Sequence, residues 1–327
     1  MPTARRFRLP LILVVVTLLA YLALGTQQFT NAMTLGAVYA LVALGYTMVY
    51  GIIELINFAH GDVFMVGSFV SLWLLADFFN FRGPIHNLPE LAVVLLLAFL
   101  FSMIVMGTVG VLIERFAYRR LRNAPRLAPL ITAIGVSFIL QNVIQIWRGP
   151  AQLNSPQLID VQAGFYVGTA FVRWISVFVI SLAVSLMIAL KIFVSKTRMG
   201  RAMRSTALDR EAAQLMGVDI NTTIAVTFFI GSALAGAAGV VQGLYYGYTF
   251  FTIGFQAGLK AFTAAVLGGI GNTSGAALGG FAIGFIEVFS SQAGYANWSE
   301  AIVFSILILV LVFRPTGLLG QRQTERA

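Results

Sequence analysis

The chain has 327 residues, 59% of them hydrophobic, with a mean hydropathy of +0.89 and a formal net charge of +9. A soluble domain needs only about half of its residues apolar, so lipid is the solvent for much of this surface. The 21 Lys and Arg sit in short clusters beside apolar runs, an orientation signal rather than a nucleic-acid footprint, and the absence of cysteine excludes disulfides, thiolate metal sites and a cysteine nucleophile.

A membrane span needs about 20 mainly apolar residues. Such runs lie near 9–25, 29–50, 56–77, 89–111, 128–147, 171–194, 223–244, 257–271, 275–291 and 299–313. They predict an all-α, polytopic bundle of about ten spans, one domain over 1–327. Arg5, Arg6 and Arg8 before the run from Leu9 resemble the start of a signal peptide. Cleavage chemistry is weak around Leu22 to Thr26 and the next run follows at once, so residues 1–27 are read as a retained extra helix. With both termini cytoplasmic, 115–126 and 196–221 are cytoplasmic and 149–168 periplasmic. All of the 21 basic residues except Arg82, Arg148, Arg173 and Lys260 then lie on or beside the cytoplasmic side. The eighth and ninth runs are short and glycine-rich, so a re-entrant pair or an eight-span count stays open. Gly239, Gly243 and Gly247, like Gly271, Gly275 and Gly279, recur every four residues and predict close helix packing. Runs two to five and seven to ten have opposite orientation in this scheme, which is compatible with an inverted repeat.

The third run opens with "INFAHGD", which brings Asn57, His60 and Asp62 together. A helix N-terminus there can receive an anionic group, or Asn57 can simply cap the helix with Asp62 bonded in its first turn. In the fifth run Ser137, Gln141 and Gln145 fall at four-residue spacing with Asn142 beside them. Amides against lipid are unfavourable, so this face looks either into the bundle as interhelical glue or onto a wet pathway. His60 and His86 are too far apart for a helical zinc-protease motif, and neither a nucleophile elbow nor a phosphate-binding loop appears. Gly269 and Gly271 lack the third glycine and the preceding strand of a dinucleotide site. No cofactor is therefore expected, and the chain is read as a transporter rather than an enzyme.

The segment 196–221 carries Thr206 and Asp209 in a capping-box arrangement and Gly217 as a stop, predicting a short helix over 207–216. Leu208, Ala212, Leu215 and Met216 would share one face, suited to another protein's groove or to lipid headgroups.

Here the residues resemble a family. Glu211-Ala212-Ala213, followed after three residues by Gly217, is similar to the cytoplasmic loop by which permeases of ATP-binding-cassette importers engage their ATPases. The stretches "TLGAVYALVALGYTMVYGIIELINFAHGDVFMVGSF", "LITAIGVSFILQNVIQIWRG", "TRMGRAMRSTALDREAAQLMGVD" and "GLKAFTAAVLGGIGNTSGAALGG" resemble branched-chain amino acid importer permeases, specifically the liv-H-type subunit, over Phe29 to Leu319. The loop after Gly217 lacks the apolar-Pro ending found in many other importer families. The resemblance implies a multi-pass protein of the bacterial inner membrane that pairs with a second, related permease. It also implies two cytoplasmic ATPase subunits that hydrolyse ATP, and a periplasmic binding protein that delivers the solute. It implies a coupling role for 195–221 through Leu208, Glu211, Ala212, Ala213, Leu215 and Gly217. Asn57, His60, Ser137, Gln141, Asn142 and Gln145 are the candidate pathway residues. Similar permeases carry urea or short amides. A self-sufficient secondary transporter or channel, coupled through Glu287 or Lys260, is the alternative of a different class.

Overall fold

The computed structural model describes residues 3–53, 57–122, 124–125, 127–168, 170–314 and 316–320, with 3–24 described by backbone alone. Helix α1 runs Thr3–Ile53 and is broken at Gly25, whose φ of 72° no helix interior tolerates. It is followed by α2 (His60–Leu72, continued by a π-helical turn Trp73–Phe78), α3 (Leu88–Ile113, continued through Glu114–Tyr118 and Arg119–Leu121), α4 (Leu127–Arg148) and α5 (Trp174–Lys196). Two short helices, α6 (Arg198–Leu208) and α7 (Arg210–Leu215), lead into α8 (Ile220–Tyr246), α9 (Ile253–Gly268), α10 (Thr273–Gln292) and α11 (Ser299–Phe313). Each of the ten apolar runs is thus a helix. Eight segments, the first of them Gly25–Ile53, are long and apolar enough to cross a membrane among the described residues. The sixth run starts later than its hydropathy implies: Ala170–Arg173 is strand β3, paired with β2 (Gly164–Val167), because aromatic and β-branched residues around Gly168 form a hairpin. A second pair, β1 (Leu153–Asn154) with β4 (Tyr248–Thr249), lies at the same end.

Side-chain contacts sort the connections onto two ends. At the basic end, Arg122 bonds Asn221 at 2.7 Å and pairs with the fully buried Glu114, which also takes Arg119 at 2.8 Å. Arg210 donates to the Ile53 carbonyl, and Leu318 and Leu319 bond back to Leu267 and Gly268. At the hairpin end, Gln27 accepts from the Phe171 amide, Ile85 bonds Leu158, and Arg148 pairs with Asp77. Helix α9 runs from the second end to the first, so it is a crossing and not a re-entrant loop. Its 16 residues give a rod of about 24 Å, shorter than the roughly 30 Å hydrocarbon core. Arg5, Arg6, Arg8, Arg126, Arg322 and Arg326, which contribute to the charge bias, lie outside the described side chains.

The packing repeats itself. Taking 25–53, α2, α3 and α4 as mates of α8, α9, α10 and α11, α1 packs on α10 as α8 packs on α3, and α2 on α4 as α9 on α11. Four crossings lie between each helix and its mate, so mates run in opposite directions, as an inverted repeat requires. Between the two sets, glycines let backbones touch. A Cβ on Gly45 would stand 2.7 Å from the Gly231 oxygen, and one on Gly61 2.3 Å from that of Gly254. Of the two glycine series, Gly239 makes such an approach to α2, Gly275 and Gly279 lie against the α9 backbone within one set, Gly243 faces the Ser155 side chain, and Gly247 (φ 75°) and Gly271 (φ 84°) are turn positions. Helices α1 and α8 are buried at the centre, while α4, α5 and α11 show most of their surface outward.

Candidate translocation site

Near the hairpin end, α1, α2, α8, α9 and α10 enclose a cavity of about 500 Å³. Gln28, Asn31, Gln242 and Gln256 give it neutral polar walls, and Leu35, Val38, Phe64 and Ile253 an apolar one. Its charged side chains are Lys260 and Glu287, paired at 2.7 Å; Tyr39 donates to the other carboxylate oxygen at 2.9 Å, and Glu300 lies 3.5 Å from the ammonium. Lys260 and Glu287 stood out in the sequence as ions inside apolar runs. Tyr39, Gln242 and Gln256 did not, because nothing in their local pattern says which face of a buried helix meets a cavity.

Towards the basic end the bundle closes. Tyr46 packs edge-on against His60 with centroids 4.7 Å apart, and Tyr118 donates to Asn57 at 2.9 Å. Beside Asn57, Tyr46 and Phe262 only a separate void of about 10 Å³ remains, room for at most about one water. His60 is buried and neither ring nitrogen meets hydrogen-bond geometry, although the Val42 carbonyl lies close enough to act on the ring. The capping expectation for this segment fails. Helix α2 begins at His60 with Ala59 as N-cap and without a side-chain cap bond, Asn57 is engaged by Tyr118, and Asp62 reaches another helix instead of its own first turn.

That other helix is α4. The buried Asp62 carboxylate accepts from Ser137 Oγ at 2.5 Å and from Gln141 Nε2 at 3.0 Å. The polar stripe therefore splits. Ser137 and Gln141 turn inward as a latch, Asn142 is exposed and bonds its own helix at the Phe138 carbonyl, and Gln145 is half-buried one turn further on. Ser137 and Gln141 also border an outward groove of about 480 Å³ with Phe138, Thr252 and Phe255.

At the basic end, the expected helix over 207–216 is instead two helices. Thr206 is buried inside α6, which Thr197 caps; the chain extends at Asp209 (φ −159°, ψ 114°), whose side chain accepts from the Ala212 amide and starts α7. A capping box needs the Ser or Thr outside the helix, and here α6 already continues through Thr206. Gly217 ends the segment with φ 84°, as its position suggested. Ala213 packs inward, while Glu211 and Ala212 are exposed and Leu208, Leu215 and Met216 are 79%, 89% and 85% exposed. Three apolar side chains this exposed at the basic end are unusual for a surface that meets only water.

The comparisons agree with this architecture. The family model described as branched-chain amino acid transport system / permease component matches residues 28–311. The high-affinity branched-chain amino acid transport system permease protein BraD of Pseudomonas aeruginosa is 42% identical over 308 residues, covering 92% of this chain and 97% of that protein. The LivH permease of Escherichia coli K12 is 42% identical over 305 residues with the same coverage. The probable branched-chain amino acid transport permease LivH of Methanocaldococcus jannaschii is 30% identical over 299 residues, 86% of this chain and 88% of its own. No solved structure matches. With the match running from within the Gly25–Ile53 crossing to within the last, Ala296–Phe313, the chain belongs to the permease components of branched-chain amino acid transport systems.

Proposed function

We propose that this chain is a membrane-embedded permease subunit of an ATP-binding-cassette importer for branched-chain and other neutral amino acids. The observation that carries the reading is the family match spanning all crossings after Gly25. The proposed assembly holds a second related permease against the outward helices, two ATPase subunits at the basic end and a binding protein at the hairpin end. The positive-inside rule places the basic end, with 115–126 and 196–221 and both termini, in the cytoplasm of an inner-membrane protein. The roughly 500 Å³ cavity then opens to the periplasmic side, and the Tyr46, His60 and Asn57 layer closes the cytoplasmic side. In this scheme Asn57 and His60 form the barrier across the route, Ser137 and Gln141 hold α4, and Asn142 and Gln145 face the groove or the second permease. Leu208, Glu211, Ala212, Ala213, Leu215 and Gly217 form the coupling surface. Lys260 and Glu287, candidates for ion coupling in a self-sufficient transporter, neutralise each other, which favours the ATP-driven reading.

The test is leucine uptake with ATPase co-purification in cells carrying the complete importer. Ala212→Trp places an indole on an exposed position, and Gly217→Val forces a β-branched residue to a positive φ, a strain of about 1 kcal/mol or more. Both variants are expected to insert normally, lose ATPase subunits on purification and lose uptake. Full ATPase recovery with normal uptake in both would refute the coupling assignment, and absence of leucine uptake by the wild type would refute the substrate class.

A further inference from the structure

We propose that the cavity between α1, α9 and α10 is a binding site for the zwitterionic head of an α-amino acid, which it receives by exchanging the Lys260–Glu287 ion pair for two ligand pairs. The inference rests on the transport reading and deepens it from a solute class to a recognition chemistry. Lys260 Nζ lies 2.7 Å from Glu287 Oε1, and the two side chains are only 12% and 18% exposed. The other polar walls, among them Gln28, Asn31, Gln242 and Gln256, are neutral amides able to donate and accept. A ligand ammonium on Glu287 and a ligand carboxylate on Lys260 would replace one ion pair with two and leave no charge without a partner. A bare anion on Lys260 would free the buried Glu287, a bare cation on Glu287 would leave Lys260 only the exposed Glu300 at 3.5 Å, and an uncharged amide would have to separate the pair without replacing either partner, all of them less favourable than the double exchange. Tyr39, donating to Glu287 Oε2 at 2.9 Å, keeps the carboxylate in place through the exchange. Leu35, Val38, Phe64 and Ile253 supply an apolar wall for an aliphatic side chain.

The chain contains no cysteine, so a single Ala257→Cys reporter in the cavity wall can be followed by its mass shift with a small thiol reagent in membranes holding the complete importer. Saturating L-leucine is expected to slow labelling. Isocaproate, isoamylamine and acetamide, which lack the ammonium, the carboxylate or both, are expected to protect far less. Lys260→Met and Glu287→Gln should each weaken protection by about ten- to hundredfold in ligand concentration, the range for losing a hydrogen bond to a charged group. The double variant Lys260→Met/Glu287→Gln leaves no buried charge orphaned, since Glu300, the other partner of Lys260, is exposed, so it separates binding from folding: it should label at the unliganded rate with leucine present. Leucine uptake by the parent chain without leucine protection, equal protection in the double variant, or protection by isocaproate or isoamylamine equal to that by leucine would each overturn the site. Protection without leucine uptake would refute the transport reading and leave the site standing.

Discussion

The latch between α2 and α4 gives the sharpest energetic expectation. Asp62 is 0% exposed and its carboxylate takes two donors, both from α4, at 2.5 and 3.0 Å. Gln141→Leu keeps the volume of the side chain roughly and removes the 3.0 Å donor. A hydrogen bond to a charged group contributes about 1.5–3 kcal/mol, whereas interhelical bonds within membranes average about 0.6 kcal/mol with a maximum near 1.7. A loss of about 1–2 kcal/mol reconciles the two ranges. Because α4 packs on few other elements, chiefly α2 and the Glu114–Tyr118 turn, the loss should loosen this helix first, seen as faster amide exchange within Leu127–Arg148. The decisive measurement is a double-mutant cycle of Asp62→Asn and Gln141→Leu by equilibrium unfolding in mixed micelles. A coupling of about 1 kcal/mol is expected, and additivity within about 0.3–0.5 kcal/mol would refute the latch. Gln145→Leu, one turn beyond the carboxylate, should cost less than Gln141→Leu.

Cysteines introduced at the exposed Gln152 and Gln214 should react with an impermeant reagent from opposite sides of the membrane; labelling of both from one side would reject the assigned sidedness. Gly45→Ala places a methyl 2.7 Å from the Gly231 oxygen and against the His60 ring, so it should destabilise by about 1–3 kcal/mol, while Gly135→Ala, with nothing within 4 Å, should stabilise α4 by about 0.5–1 kcal/mol. Asp219 caps α8 and its carboxyl is held below the usual range, first by the Thr222 hydroxyl and then by backbone amides; its folded pKa is depressed, so its contribution is present above the ordinary carboxyl pKa and is lost as pH falls through the lower folded value. An Asp219→Asn protein should accordingly show a flatter stability profile below about pH 4, and an unchanged profile would contradict the cap. Arg210→Gln removes the 2.5 Å contact to the Ile53 carbonyl and should keep ATPase subunits bound while lowering uptake; normal uptake would show that the contact transmits nothing.

Hydropathy exposed the ten helices because lipid demands about 20 apolar residues whatever the tertiary contacts are. The glycines of α8 and α10 likewise announced close packing, and Gly217 its turn, since both are constraints on backbone alone. What stayed hidden depended on partners distant in sequence. Asp62 looked like a first-turn residue because its local context is a helix start, yet its donors are 75 and 79 residues away. Thr206 looked like a cap because a capping box is a four-residue pattern, and a continuous α6 from Thr197 overrides it. The cavity was illegible for the same reason. Its polar side chains come two or three per helix from α1, α8, α9 and α10, and only the packing of those four helices shows that the short sets face one another.

Helix α1 is the element that can join the two ends. Its last residue, Ile53, receives Arg210 from the start of α7; Gly45 and Tyr46 pack on His60 in the closed layer; Tyr39 bonds Glu287 in the cavity. Tyr39 and Ile53 are 14 steps apart on one continuous helix, so about 21 Å separates the proposed coupling surface from the cavity. The segment from Gly25 to Ile53 is hydrogen-bonded throughout and buried along most of its length, which makes it a stiff rod rather than a chain of independent contacts. Its crossings with α8 and α10 are made largely by glycine and alanine. Gly45 lies on Gly231, Gly36 on Phe281 and Gly280, and Ala40 on Gly280. Interfaces of this kind have few side-chain knobs to unlock, so a rotation or slide of the rod disturbs fewer packed side chains than the same motion of an interface of interlocked Leu and Phe. A displacement of α7 by a docked ATPase would therefore reach Tyr46 and Tyr39 together, opening the barrier while changing what holds Glu287. Under the proposed coupling, no chain of side chains through the core would be needed, only a rod held at Ile53 that shifts where glycines face each other.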